Sequence, residues 1–169
     1  MSNLLTRVLV ALVAIPLFVV LVLTGGWTFA VFVAVLSALG VREFCQLMET
    51  KGASPNALLT LTAAFVLPLS LYFDTLHQSS FAFASAIVFS VLILATELWR
   101  ERAHPLMNIA ASLGALSYVS LLFMSLILIR SFSLSTSSAL GASLELHSNW
   151  QAFVLLCACI TVWTGDSAA

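Results

Sequence analysis

A chain of 169 residues that is 62% hydrophobic and only 8% charged does not have the composition of a water-soluble domain, in which about a quarter of residues carry charge. Its formal net charge of −1 says nothing about partners, and no basic run points to nucleic acid. The mean hydropathy of +1.12 places it in a lipid bilayer instead.

The bilayer core holds no water, so backbone groups there must bond to one another, which leaves helices or closed barrels. The apolar runs are continuous over about 15–24 residues, unlike the short alternating segments of a barrel. The expectation is an all-α, polytopic helical membrane protein: a single domain with about six transmembrane helices, at 8–23, 27–41, 57–73, 81–98, 106–129 and 150–169.

The first span ends at Thr24-Gly25-Gly26 and the second at Arg42-Glu43. Fused into one helix, residues 8–41 would be about 50 Å long at 1.5 Å per residue, more than the ~30 Å hydrocarbon core. A break at the glycines is therefore expected. Pro16 should kink the first span without ending it. Although Arg7 precedes an apolar stretch, no small-residue cleavage site follows, so the first helix is expected to be retained.

The third span follows Pro55 and contains Pro68, and residues 74–80 link it to the fourth. The fifth opens after His104-Pro105 and ends at Arg130. Ser131 to Asn149 holds seven serines and no long apolar run, which predicts an exposed loop before the sixth span.

Basic residues orient the chain. With the N-terminus in the cytoplasm, Arg7, Arg42, Lys51, Arg100 and Arg102 lie inside and only Arg130 outside, as the positive-inside rule requires. Six spans then bring the end of the last helix back to the cytoplasm.

That end carries Asp166, which closes an apolar run. An acid at the centre of a membrane helix costs about 2.5–3.5 kcal/mol and marks a functional site by default. Asp166 is the candidate catalytic and metal-holding residue. Mg²⁺ uses few protein carboxylates and shares its shell with substrate phosphates. Thr164 and Ser167 offer hydroxyls, and Gly165 permits close approach to the backbone. A helix cap at the interface is the competing account of Asp166.

Elsewhere simpler readings suffice. Arg42 and Glu43 read as a snorkelling cation and a solvated acid, although Glu43 could turn inward. Glu97 to Arg102 reads as an anchor around the interfacial Trp99, and Arg130 as a second anchor. Ala110, Ala111, Gly114 and Ala115 form overlapping small-residue pairs suited to close helix packing, with Tyr118 placed to hydrogen-bond across the packed pair. Cys45, Cys157 and Cys159 read as buried free thiols. His77, His104 and His147 show no metal-ligand spacing, and no phosphate loop, dinucleotide fingerprint or nucleophile elbow is present.

Four stretches resemble one family in order. Thr6-Arg7-Val8 precedes Ala14-Ile15-Pro16-Leu17, and Arg42-Glu43-Phe44-Cys45-Gln46-Leu47-Met48 ends the second span. Gly114-Ala115-Leu116-Ser117-Tyr118-Val119 runs on to Leu128-Ile129-Arg130, and Trp163-Thr164-Gly165-Asp166-Ser167-Ala168-Ala169 closes the chain. Together they are similar to the N-terminal part of phosphatidate cytidylyltransferases, or CDP-diacylglycerol synthases. The resemblance implies a CTP-dependent nucleotidyltransferase of phospholipid biosynthesis, moving CMP from CTP to phosphatidate with release of diphosphate. It implies Mg²⁺ held by Asp166, a phosphate oriented by Ser167, and a multi-pass protein of the cell inner (plasma) membrane with its N-terminus cytoplasmic. A homodimer is an assembly it allows. The family's later His-Gly-Gly…Asp-Arg-x-Asp segment is absent, so the 169 residues are expected to be incomplete and inactive alone. The alternative is a non-catalytic membrane scaffold or a transporter segment. Apolar spans nearly free of charge, and no visible repeat, weigh against a transporter.

Overall fold

A computed structural model describes the backbone of residues 3–132 and 149–168, and the side chains of 12–132 and 149–165. Every regular element among these residues is helical. They are α1 (Asn3–Thr24), α2 (Gly26–Glu49), α3 (Ala57–His77), α4 (Phe81–Trp99), α5 (Pro105–Ala115), a π-helical turn (Leu116–Ser120), α6 (Leu121–Ser131) and α7 (Trp150–Ala168).

Four helical runs are long and apolar enough to cross a membrane: Gly26–Glu49, Ala57–His77, Phe81–Trp99 and Pro105–Ser131. The parts of α1 and α7 whose side chains are described, Leu12–Thr24 and Trp150–Gly165, are apolar but shorter. The polytopic helical class expected from composition therefore holds, with four of the six expected spans meeting that length among the described residues. The exposed loop expected between Ser131 and Asn149 lies mostly outside the described residues. The helices run through Pro16 and Pro68 without ending, as expected of membrane prolines whose freed carbonyls find other partners.

The chain forms two compact units, Met1–Phe29 with Ile129–Ala169, and Ala30–Leu128. In the first, α1 packs on α7, with the Phe18 and Trp163 rings 5.8 Å apart, and Phe132 meets Trp150 edge-on at 6.5 Å. Gly25 breaks the chain between α1 and α2 at φ +61°, a left-handed value that glycine adopts without cost.

In the second unit α3 lies along α4. Small side chains make this approach close: Ala63, Ala64 and Ala82 are buried with Leu67 and Ile93, and Val41, Cys45, Ala115, Leu116 and Met124 complete the cluster. In lipid, such contact is stabilised by packing rather than by escape from water. The opposite faces remain apolar and outward, including Ile87, Val91 and Leu94 of α4 and Leu121 of α6, as a hydrocarbon surround requires.

The turn between α3 and α4 is closed by one carboxylate. Asp74 Oδ1 accepts from Ser79 Oγ and from the Phe81 amide, both at 2.7 Å, and Oδ2 accepts from the Ala82 amide at 2.8 Å. An acid here satisfies orphan amides at the start of α4 and complements its dipole. Hydroxyls within the helices are satisfied locally: Thr60, Ser90 and Thr161 each donate to the carbonyl one turn back. Among the described residues no buried side-chain nitrogen or oxygen lacks a partner.

Candidate functional site

The last turns of α7 carry the predicted site. The helix continues through Asp166 and Ser167 to Ala168, while their side chains lie outside the described residues. Just before them, Thr164 Oγ1 donates back to the Ile160 and Thr161 carbonyls, at 2.8 and 3.0 Å, so its hydroxyl serves its own helix. A Cβ added at Gly165 would meet nothing within 4 Å, which leaves open space beside the backbone. Among the described residues no group of three His, Cys, Asp or Glu could hold a metal ion. All three cysteines are free thiols as expected, but only Cys45 is buried; Cys157 is exposed and Cys159 half-buried, on a helix whose outer face is apolar.

The other sequence candidates separate cleanly. Arg42 and Glu43 are both exposed, in keeping with the solvated reading and against an inward turn of Glu43. Arg130 takes a more specific part than a simple anchor. Its Nε donates to the Val22 carbonyl at 3.0 Å and its Nη2 to the Leu23 carbonyl at 3.5 Å. It caps the end of α1, where orphan carbonyls and the negative end of the helix dipole favour a cation.

The small-residue stripe differs from expectation. Ala111 and Ala115 are buried, but Ala110 is exposed and a Cβ added at Gly114 would meet only Phe44, at 4.0 Å. Tyr118 is exposed with its ring 6.4 Å from Phe44. The π turn changes the helical phase at residues 116–120, which defeats the spacing argument for Tyr118. Ser120 makes the cross-helix hydrogen bond instead, accepting from Ser37 at 3.0 Å. The glycine that close packing does need is Gly40, where an added Cβ would stand 2.9 Å from Val119 Cγ1 and 3.2 Å from Phe123 Cε2.

The largest departure concerns Glu97. Leu98, Trp99, Glu101 and Arg102 are exposed, as an anchor requires, but Glu97 turns inward and is 6% exposed. Its Oε1 accepts from Asn108 Nδ2 at 2.6 Å and its Oε2 from Arg100 Nη1 at 2.8 Å. Asn108, 1% exposed, also donates to the Ala103 carbonyl at 3.1 Å and accepts from the Ser54 amide at 2.6 Å. Arg100 Nη1 closes the ring on the Ser54 carbonyl at 3.1 Å.

Asn56 extends this network. Its amide donates to Ser112 Oγ and its Nδ2 to Thr96 Oγ1, both at 3.3 Å, while Oδ1 caps α3 by accepting from the Leu59 amide. Four elements are thus tied at one end of the second unit: the 53–56 segment, α3, α4 and α5. A buried charge is tolerated only when paired and hydrogen-bonded, and every atom of this carboxylate is. The signal in the sequence was phase. Ala82, Ala86, Phe89 and Ile93 form the packed face of α4, and Glu97 continues it at i+4.

The fold defines a multi-pass helical membrane protein. The chain matches the cytidylyltransferase family over residues 5–169 and belongs to that family. It is 36% identical over 64 residues to a phosphatidate cytidylyltransferase of Synechocystis sp., a stretch that covers 38% of this chain and 22% of that relative. No solved structure matches it.

Proposed function

We propose that the protein contributes to a phosphatidate cytidylyltransferase. The carrying observation is the family match across residues 5–169, which takes in the Trp163-to-Ala169 motif with Asp166 and Ser167. In the proposed reaction a phosphate oxygen of phosphatidate attacks the α-phosphorus of CTP. The new phosphorus–oxygen bond forms as the bond to diphosphate breaks, and the products are CDP-diacylglycerol and diphosphate.

Asp166 and Ser167 supply oxygen donors only, a set that fits a hard divalent cation such as Mg²⁺. When bound, Mg²⁺ supplies charge neutralisation for the phosphates. Asp166 would hold it, and the Ser167 hydroxyl would donate to a phosphate oxygen and orient it. The open space at Gly165 leaves room for a ligand beside this turn. Catalysis would then rest on positioning and electrostatics more than on covalent chemistry at the protein.

The basic-residue count supports a cytoplasmic N-terminus, and with six spans Asp166 would face the cytoplasm, where CTP is found; the inner (plasma) membrane is the proposed location. The test is CTP-dependent formation of CDP-diacylglycerol from phosphatidate with Mg²⁺. It compares membranes expressing residues 1–169 alone with membranes expressing them within a longer polypeptide of the family. Turnover in the longer form supports the reading. No turnover in either, with both inserted and folded, overturns it and favours a membrane scaffold.

A further inference from the structure

Arg100 ends α4 with donors to spare. Only its Nη1 is engaged, by Glu97 and the Ser54 carbonyl; Nε and Nη2 donate to no described group. The side chain is 27% exposed, so part of it reaches the surface while Nη1 is held inward. The fixing is rigid: Glu97 is itself held by buried Asn108, which the Ser54 amide holds in turn.

The depth of this side chain follows from its neighbours. Leu98 is 84% exposed, Trp99 80% and Leu106 81%, and they flank Arg100 at the end of one membrane helix and the start of the next. Exposed tryptophan at a helix end belongs at the headgroup level of a bilayer. A guanidinium there meets lipid phosphates, and its planar fork suits phosphate oxygens better than an ammonium does.

We propose that the outward edge of Arg100, oriented by Glu97, is a binding site for the phosphate of an anionic phospholipid. The site uses residues apart from Asp166 and does not depend on the proposed catalysis. Exposed Arg102, two residues on, has no buried partner among the described residues to orient it and provides the control.

The experiment uses the full chain in phosphatidylcholine nanodiscs, with and without phosphatidylglycerol replacing a minority of the lipid. Phosphatidylglycerol is a phosphodiester, which keeps the readout off any site for phosphatidate. The anionic lipid should raise the unfolding temperature of the wild type and remain bound through delipidation. Arg100→Gln should weaken lipid retention by about tenfold, whereas Arg102→Gln should leave it nearly unchanged. Arg100→Lys keeps the pairing with Glu97 and removes the fork; it should fold and still lose several-fold in retention, which decides the matter if the glutamine variant does not fold. A wild type indifferent to phosphatidylglycerol would overturn the proposal, as would retention unchanged in the lysine variant. Stabilisation of phosphatidylcholine discs by inorganic phosphate to the same extent would assign the site to free phosphate and overturn the lipid reading.

Discussion

Ser37 donates its hydroxyl to Ser120 across 3.0 Å, joining α2 to the π turn over 83 residues of sequence. Both side chains are fully buried. Hydrogen bonds between membrane helices contribute about 0.6 kcal/mol on average and up to about 2. Either serine alone changed to alanine should cost about 1–2 kcal/mol, since one hydroxyl is left buried without its partner. The double alanine variant should cost less than the sum. A double-mutant cycle on detergent-solubilised protein measures the difference.

Gly40 tolerates no side chain. Gly40→Ala places a methyl 2.9 Å from Val119 and should destabilise by about 1–3 kcal/mol through overpacking. Gly114→Ala, with no neighbour inside 4.0 Å, should be neutral or slightly stabilising. Thermal unfolding of the two variants side by side tests the contrast, and equal losses would contradict it.

Removing Glu97 should be costly. Glu97→Ala strands Asn108, which is 1% exposed, and releases Arg100, so a loss of about 2–4 kcal/mol is expected. Glu97→Gln keeps an acceptor for Asn108 and should lose about half as much. Protease accessibility of the 53–56 segment offers a second readout, because its Ser54 groups are held from this network.

Arg130→Ala should fray the end of α1 at a cost of about 1 kcal/mol, from the loss of its bonds to the Val22 and Leu23 carbonyls. Faster amide exchange confined to residues near Gly25 is the expected signature. Gly25→Ala should cost more, through its φ of +61° and a methyl 2.7 Å from the guanidinium.

On the proposed function, Asp166→Asn in an active longer form should lower turnover by about a hundredfold or more, with membrane insertion intact. Near-normal turnover would remove Asp166 from the site.

The helices were legible because apolar run length and the glycine break at Gly25 act locally. Phase was harder to read. The 3.6-residue rule put Tyr118 on a packing face, and the π turn moved that part to Ser120. Glu97 looked like an interfacial acid because it stands beside Trp99 and Arg100, yet its helical register continues the packed face through Ile93. Asn108 carries no local signal in the sequence, since its importance lies in what it reaches: a carboxylate 11 residues earlier and an amide 54 residues earlier. Asp166 stands out in the sequence as an acid placed where an acid is expensive, and its part in a site is the proposal made above.

Asp74 gives the α3–α4 pair a property of its own. Because its carboxylate closes the turn using groups from residues 79–82 only, that end of the hairpin needs nothing from later in the chain. The contacts that close this turn are therefore local in sequence, all within residues 74–82. The opposite end is tied by Asn108 and Ser112 of α5, so one end of the hairpin is closed by its own residues and the other by a later helix.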